Sequence, residues 1–140
     1  MSKLLNLENL CSYADNAFGE NNWSYTITNQ VIDYVDETET TIAISCTTST
    51  KFYVTNNLCR ESIGTSTIVS DDKLNTFRQV RQTSFRESLQ NTLMFFKKIR
   101  SEIEKREQRL QKQKEMQELW RAKNLEISRK DLKDMESDII

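Results

Sequence analysis

The side chains in this chain best suited to chemistry are cationic and aromatic. Arg78, Arg81 and Arg86 recur along one helix-patterned segment, a spacing suited to the phosphate oxygens strung along a nucleic acid. Lys51 and Arg60 lie on two neighbouring strand-like runs and would extend the same basic track, and Lys97 and Lys98 open a charged C-terminal stretch. Trp23, Tyr25 and Tyr34 are candidates for stacking on unpaired bases, the platform that single-strand binders use. Aromatics alternating along strands beside a helix are more often core, and arginines on a solvated helix face are ordinary. Both readings stay open at this point.

Other chemistries are poorly supplied. The 140 residues contain no histidine, which removes the commonest general base and metal ligand. Cys11, Cys46 and Cys59 are odd in number and lack metal-site spacing, so they read as reduced, intracellular thiols packing as small apolar groups. With only two glycines there is no phosphate-cradling loop, and no nucleophile sits at a recognisable distance from a base. The reading is a protein that is not an enzyme, with no cofactor and no metal. No apolar run approaches the roughly 20 residues of a membrane span. The N-terminal MSKLLNLENL is too short and polar for a secretory signal.

The elements that would position these side chains form four pieces. From Leu4 to Phe18, residues Leu7, Leu10, Cys11, Ala14, Ala17 and Phe18 share one helical face, with Asn6 as N-cap. From Trp23 to about Ile68 the helical period disappears and Thr, Ile, Val and Tyr dominate, which predicts three or four antiparallel strands. Glu37–Thr40 reads as one turn and Asn56-Asn57 as the tight hairpin turn, since Asn tolerates left-handed φ. Ser70-Asp71-Asp72 then caps a long helix. Its core stripe is read as Phe77, Val80, Phe85, Leu89, Phe96 and Ile99, with Ser84, Ser88 and Thr92 as small neighbours letting the helix approach the sheet. Arg78, Gln82, Arg86, Gln90 and Lys97 form its polar face.

Charge divides the chain unevenly. Residues 1–96 hold 7 Lys/Arg against 11 Asp/Glu, whereas residues 97–140 hold 13 against 10. Residues 100–118 are almost wholly polar, which predicts a solvent-exposed helical arm for partner binding or oligomerisation. Ser101 with Glu104 hints at a helix restart, and Ser128 with Asp131 at a last short helix. Leu119 and Trp120 sit in a small apolar patch on the arm and are its partner-binding candidates. The expected domains are an α+β core over residues 4–98 and an arm over 99–140.

The stretch from Ala14 to Asp36 carries a family resemblance. Ala14, Phe18, Gly19, Trp23, Ile27-Thr28 and Ile32-Asp33-Tyr34-Val35-Asp36 follow the order and spacing of the Rad-fifty-two family of recombination mediators and single-strand annealing proteins. The resemblance runs over roughly residues 7–96. It implies a short N-terminal helix and a curved antiparallel sheet crossed by a long helix. It also implies protomers assembled into rings or arcs, with single-stranded DNA in an outer basic groove and no nucleotide hydrolysis. Where the family helix carries a DNA-facing basic cluster, this sequence has Gln82, Gln90, Asn91 and Met94, with Arg81 retained. The second glycine of the family's Gly-aromatic-Gly element is Ser66, and the glycine after the helix's terminal Phe is Lys97.

Two functions follow. One is a nuclear homo-oligomer that binds and anneals single-stranded DNA in homologous recombination and double-strand break repair, with a recombinase or another repair protein as further partner. The other is an interaction subunit that keeps the fold, lacks the groove, and joins a protein through its sheet edge and C-terminal helix.

Overall fold

The computed structural model describes residues 4–55 and 57–138, with side chains through Lys133. The order is α1 (Leu7–Phe18), β1 (Trp23–Glu37), β2 (Ile42–Val54), β3 (Leu58–Ser70), α2 (Lys73–Leu93) and α3 (Lys97–Asp138). The fold is α+β, with a three-stranded antiparallel sheet in the order β1-β2-β3. The chain separates into two compact units, Met1–Glu102 and Ile103–Ile140.

Local chemistry sets the ends of α1. Asn6 Oδ1 accepts the Asn9 N–H at 2.8 Å, satisfying one of the free donors of the first turn. Gly19 closes the helix with φ +93°, donating its N–H to the Asp15 carbonyl, and a Cβ there would stand 2.8 Å from Asn22 Nδ2. The chain then enters β1 at Trp23, whose indole Nε1 donates to Asp15 Oδ1 at 2.8 Å. The hairpin turn before β3 places Asn57 at φ +65°, the left-handed conformation asparagine tolerates. Its predicted companion, Asn56, lies outside the described residues.

β2 is the central strand, and its parity organises the sheet. Ile42, Ile44, Cys46, Thr48, Thr50 and Phe52 are buried, while on the other face Ala43, Thr47, Ser49 and Lys51 are half-buried and only Ser45 is buried. The even face lies under α2. Beneath the start of α2, Ile42, Ile44, Cys46 and Val80 form an apolar cluster flanked by Ile32, Ile68 and Phe77. At the other end an aromatic group closes the core. Phe18 meets Phe96 at 5.0 Å between centroids, and Trp23 stacks on Phe52 at 5.5 Å.

Between these two groups lies a layer of hydroxyls. Thr48 bonds Ser84 across the interface at 2.7 Å, and Thr50 bonds Ser88, with all four residues buried. Small side chains on α2 let its backbone descend onto the sheet. Gly64 of β3 is where it lands: a Cβ there would lie 2.3 Å from the Ser88 nitrogen and 2.5 Å from the Ser84 carbonyl oxygen. No larger residue fits under the helix at that point.

Three features differ from the sequence expectation. The buried stripe of α2 is Thr76, Val80, Ser84, Ser88 and Thr92 with Leu89 and Leu93, whereas Phe77, Phe85 and Phe96 are only half-buried. A face lying this close to a sheet has no room for rings, so the aromatics fill its margins, as Phe85 does against Tyr25 at 5.4 Å. The helix also breaks at Met94–Phe96 rather than at Ser101, so Phe96 and Ile99 lie outside α2. The Phe96 ring is held between Phe18 and Phe52, and its N–H turns to the Leu93 carbonyl at 3.1 Å. Finally, α3 passes Ser128 without interruption, so among the described residues there is no separate last helix.

Candidate nucleic-acid interface

Helix α2 carries Lys73, Arg78, Arg81 and Arg86 against a single acid, Glu87. At about 100° per residue, Arg78 and Arg86 project away from the stripe that rests on the sheet, and Arg81 projects to the side of β1. Arg78 and Arg81 are exposed and Arg86 is half-buried. Among the described residues, none of these three guanidinium groups lies within 4 Å of a carboxylate. Lys73 is committed otherwise, pairing with Glu37 of β1 at 3.5 Å on the surface.

Arg81 is fixed through its backbone. The Gln30 side-chain amide donates to Thr48 Oγ1 at 3.0 Å and to the Arg81 carbonyl at 3.2 Å, tying β1, β2 and α2 together. This contact was not foreseen from sequence, where Gln30 is one polar residue in a polar strand.

The outer face of the sheet has the opposite electrostatic character. Asp36 pairs with Ala43 there, and Asp33 reaches the same face to accept from Thr47 Oγ1 at 2.6 Å. Glu61 pairs with Lys51 across β2 and β3. Its carboxylate accepts from Thr28 at 2.8 Å and from Ser49 at 2.9 Å. The hydrogen bond from Thr28 and then that from Ser49 hold the Glu61 carboxyl below its usual range, with Lys51 adding a smaller attraction. Acidic groups therefore gather on the sheet face, and the unpaired arginines lie on the helix.

Lys51 and Arg60 do not form one track. Lys51 shares the outer face with Glu61, with its Nζ 5.5 Å from the centroid of the Tyr53 ring. Arg60 pairs with Phe52 instead, which turns it to the opposite, helix-side face, where its guanidinium donates to the Cys59 carbonyl at 2.9 Å. Lys97 and Lys98 are exposed at the start of α3. Of the three aromatic candidates, Trp23 and Tyr25 are engaged with Phe52 and Phe85, which makes them structural. Tyr34 is 51% exposed on the outer face, beside Ser45. Leu119 and Trp120 are each 68% exposed on the arm.

The sequence matches the model of the Rad52/22 family double-strand break repair proteins over residues 1–121. The chain belongs to that family. It is 30% identical over 84 residues to the DNA repair and recombination protein RAD52 of Saccharomyces cerevisiae, a match covering 59% of this chain and 18% of that protein. The RAD52 proteins of Eremothecium gossypii and Kluyveromyces lactis match at 27% over 84 residues, again 59% of this chain and 19% of theirs. The chain therefore aligns with less than one fifth of the length of these relatives.

Family membership gives meaning to three positions on α2. Gln90 is buried, correcting its expected place on the polar face, and its side-chain oxygen accepts the Leu5 N–H at 2.8 Å. Asn91 donates its amide to the Ile63 carbonyl at 2.9 Å, locking α2 to β3. Both side chains are engaged within the chain, Gln90 buried and Asn91 at the surface. Gln82, by contrast, is exposed, close to Arg78 and Arg86 on the outward surface.

Proposed function

We propose that this chain binds single-stranded DNA and anneals complementary strands in homologous recombination and double-strand break repair. It acts in the nucleus as a homo-oligomer, in a ring or arc, alongside a recombinase or other repair protein, and it does so without catalysis. The observation that carries this reading is the set of arginines on α2, Arg78, Arg81 and Arg86, free of carboxylates and facing away from the acidic sheet face. Membership of a double-strand break repair family supports it. Phosphates attracted to this face release counterions, so affinity falls as salt rises. Lys97 and Lys98, exposed at the start of α3, supply two further cations. Lys51 and Arg60 contribute from opposite faces of the sheet.

A second reading is supported by Gln90 and Asn91, whose positions are used for internal hydrogen bonds. In that reading the chain is a repair-complex subunit binding protein through a sheet edge and the arm.

Titration of fluorescent single-stranded DNA at two salt concentrations separates the readings. Three phosphate contacts give a slope of log affinity against log salt of about −2, at about −0.7 per contact. Replacing Arg78, Arg81 and Arg86 together by Ala should weaken binding and flatten the slope by that amount, with the thermal melt unchanged. An unaltered slope moves the site elsewhere. No binding by the wild-type chain at low salt would exclude annealing and leave the interaction-subunit reading.

A further inference from the structure

The arm beyond Glu102 contains a pattern that DNA binding by the core does not use. On α3, Leu110, Met116, Trp120, Leu125, Ile127 and Leu132 are all more than half exposed. At about 100° per residue these six fall within about half of the helix circumference, and Leu119 falls outside it. Among the described residues nothing covers this apolar face of the helix.

The order of residues along that face indicates which partner fits. Residues 105–112 hold Lys105, Arg106, Arg109 and Lys112 with one acid, Glu107. Residues 131–138 hold Asp131, Asp134, Glu136 and Asp138 with one base, Lys133. The two blocks have equal length and opposite charge, and their mid-point falls between Arg121 and Ala122. The apolar positions are arranged about nearly the same point: Leu110 with Leu132, Met116 with Ile127, and Trp120 next to the centre. A two-fold axis there would lay each basic block on the acidic block of a second copy, with Met116 opposite Ile127 and Leu110 one residue off Leu132. Lys112 would meet Asp131 in register. Arms aligned in the same direction would instead set basic block against basic block. Not every encounter is favourable, since Lys114 would oppose Arg129, Glu107 would oppose Glu136, and Leu125 and Trp120 would oppose Glu118 and Lys123.

We infer that the arm pairs with the arm of a second copy of this chain, antiparallel, about a two-fold axis near residues 121–122. The contact is isologous and closes as a dimer. It spans about 50 Å of helix from residue 105 to residue 138. It is a different contact from any made by the core, and it does not depend on DNA binding.

The test uses the full-length chain prepared at natural isotope abundance and with 15N. The two preparations are mixed dilute, concentrated together to tens of micromolar, and treated with a carbodiimide that joins lysine amines to carboxylates without a spacer. Cross-linked peptides of mixed isotope come only from two different chains. The expected result is mixed pairs joining residues 105–114 to residues 131–138, above all Lys112–Asp131. Mixed pairs confined within residues 102–118, mixed pairs joining only arm to core, or no mixed arm pairs would each overturn the inference. A chain carrying Leu110→Glu and Leu132→Glu, both at exposed helical positions, should lose at least ten-fold in mixed arm pairs. Undiminished yield from that variant would also overturn it.

Discussion

Replacing Gly64 by Ala tests how the helix is held on the sheet. The added methyl would lie 2.3 Å from the Ser88 nitrogen, 2.5 Å from the Ser84 carbonyl oxygen and 2.8 Å from the Glu87 carbonyl carbon. All three are backbone atoms, so no side-chain rotation relieves the clash and α2 must rise by about 1 Å to restore ordinary contact. Overpacking of this kind costs about 1–3 kcal/mol. Lifting the helix also stretches the buried Thr48–Ser84 and Thr50–Ser88 hydrogen bonds, each worth about 1 kcal/mol. The gain from replacing a strand glycine offsets less than about 1 kcal/mol. A net loss of about 2–4 kcal/mol is a large share of the 5–15 kcal/mol that typically holds a domain together. At about 4–8 °C per kcal/mol, the melting temperature should fall by about 8–32 °C. Circular dichroism melts and urea titrations read this directly. Adding Ser88→Gly should give no rescue, because trimming a side chain leaves the obstructing backbone in place. A Gly64→Ala chain melting within about 2 °C of wild type would refute the close approach.

Leu89 is 1% exposed, so Leu89→Asp should leave no cooperative melt, as a buried unpaired carboxylate is among the costliest substitutions. A soluble, cooperatively melting variant would place the helix register elsewhere. Because hydrogen bonds from Thr28 and Ser49 depress the Glu61 carboxyl, their contribution is present above the unfolded carboxylate range and is lost as pH falls through the lower, folded value. Urea titrations from pH 5 to pH 3 should therefore show a smaller loss of stability in Glu61→Gln than in wild type, and equal losses would refute this. Burial first, and then the nearby Asp15 carboxylate, raise the Cys11 thiol, so Cys11 should react with a disulfide reagent at pH 8 more slowly than a free thiol. Asp15→Asn should speed that reaction only in part, since burial remains. The triple Arg78, Arg81 and Arg86 variant, assayed by DNA titration, is the functional counterpart of these tests.

Where a residue's local pattern carried the information, the fold could be read from the sequence. Asn6 as N-cap, the Phe18-Gly19 terminus, the alternation of Ile42, Ile44 and Cys46, and the small residues Ser84, Ser88 and Thr92 all behave as their types suggest. Size misled the reading of α2. Phe77, Phe85 and Phe96 look like core residues, but a helix seated on a glycine presses hydroxyls to the sheet and leaves rings at the rim. The break at Met94–Phe96 contains neither glycine nor proline, and the Phe96 ring contacts that accompany it come from residues far away in the chain. For the candidate site, the α2 arginines were legible because helical spacing is local. The separation of Lys51 from Arg60 was not, since it depends on one residue of register across a hairpin: Lys51 opposes Glu61, and Phe52 opposes Arg60.

The two irregularities of β1 set how much length variation the sheet can absorb. Pairing with β2 skips Thr28 and Asp33, so the strand carries two more residues than its partner needs. Each skip inverts the rule for which residues face α2: Tyr25 and Ile27 before the first, Gln30 and Ile32 between them, and Val35 and Glu37 after the second. Thr28 and Asp33 thus work as spare letters in a reading frame. Deleting either leaves every other residue of β1 on its present face, at the cost of the Thr28–Glu61 or Asp33–Thr47 hydrogen bond. The same deletion in β2 or β3 would turn every side chain beyond it inside out. Single-residue length changes among relatives of this chain should therefore collect in β1, at the edge of the sheet, and leave the two strands under the helix at constant length.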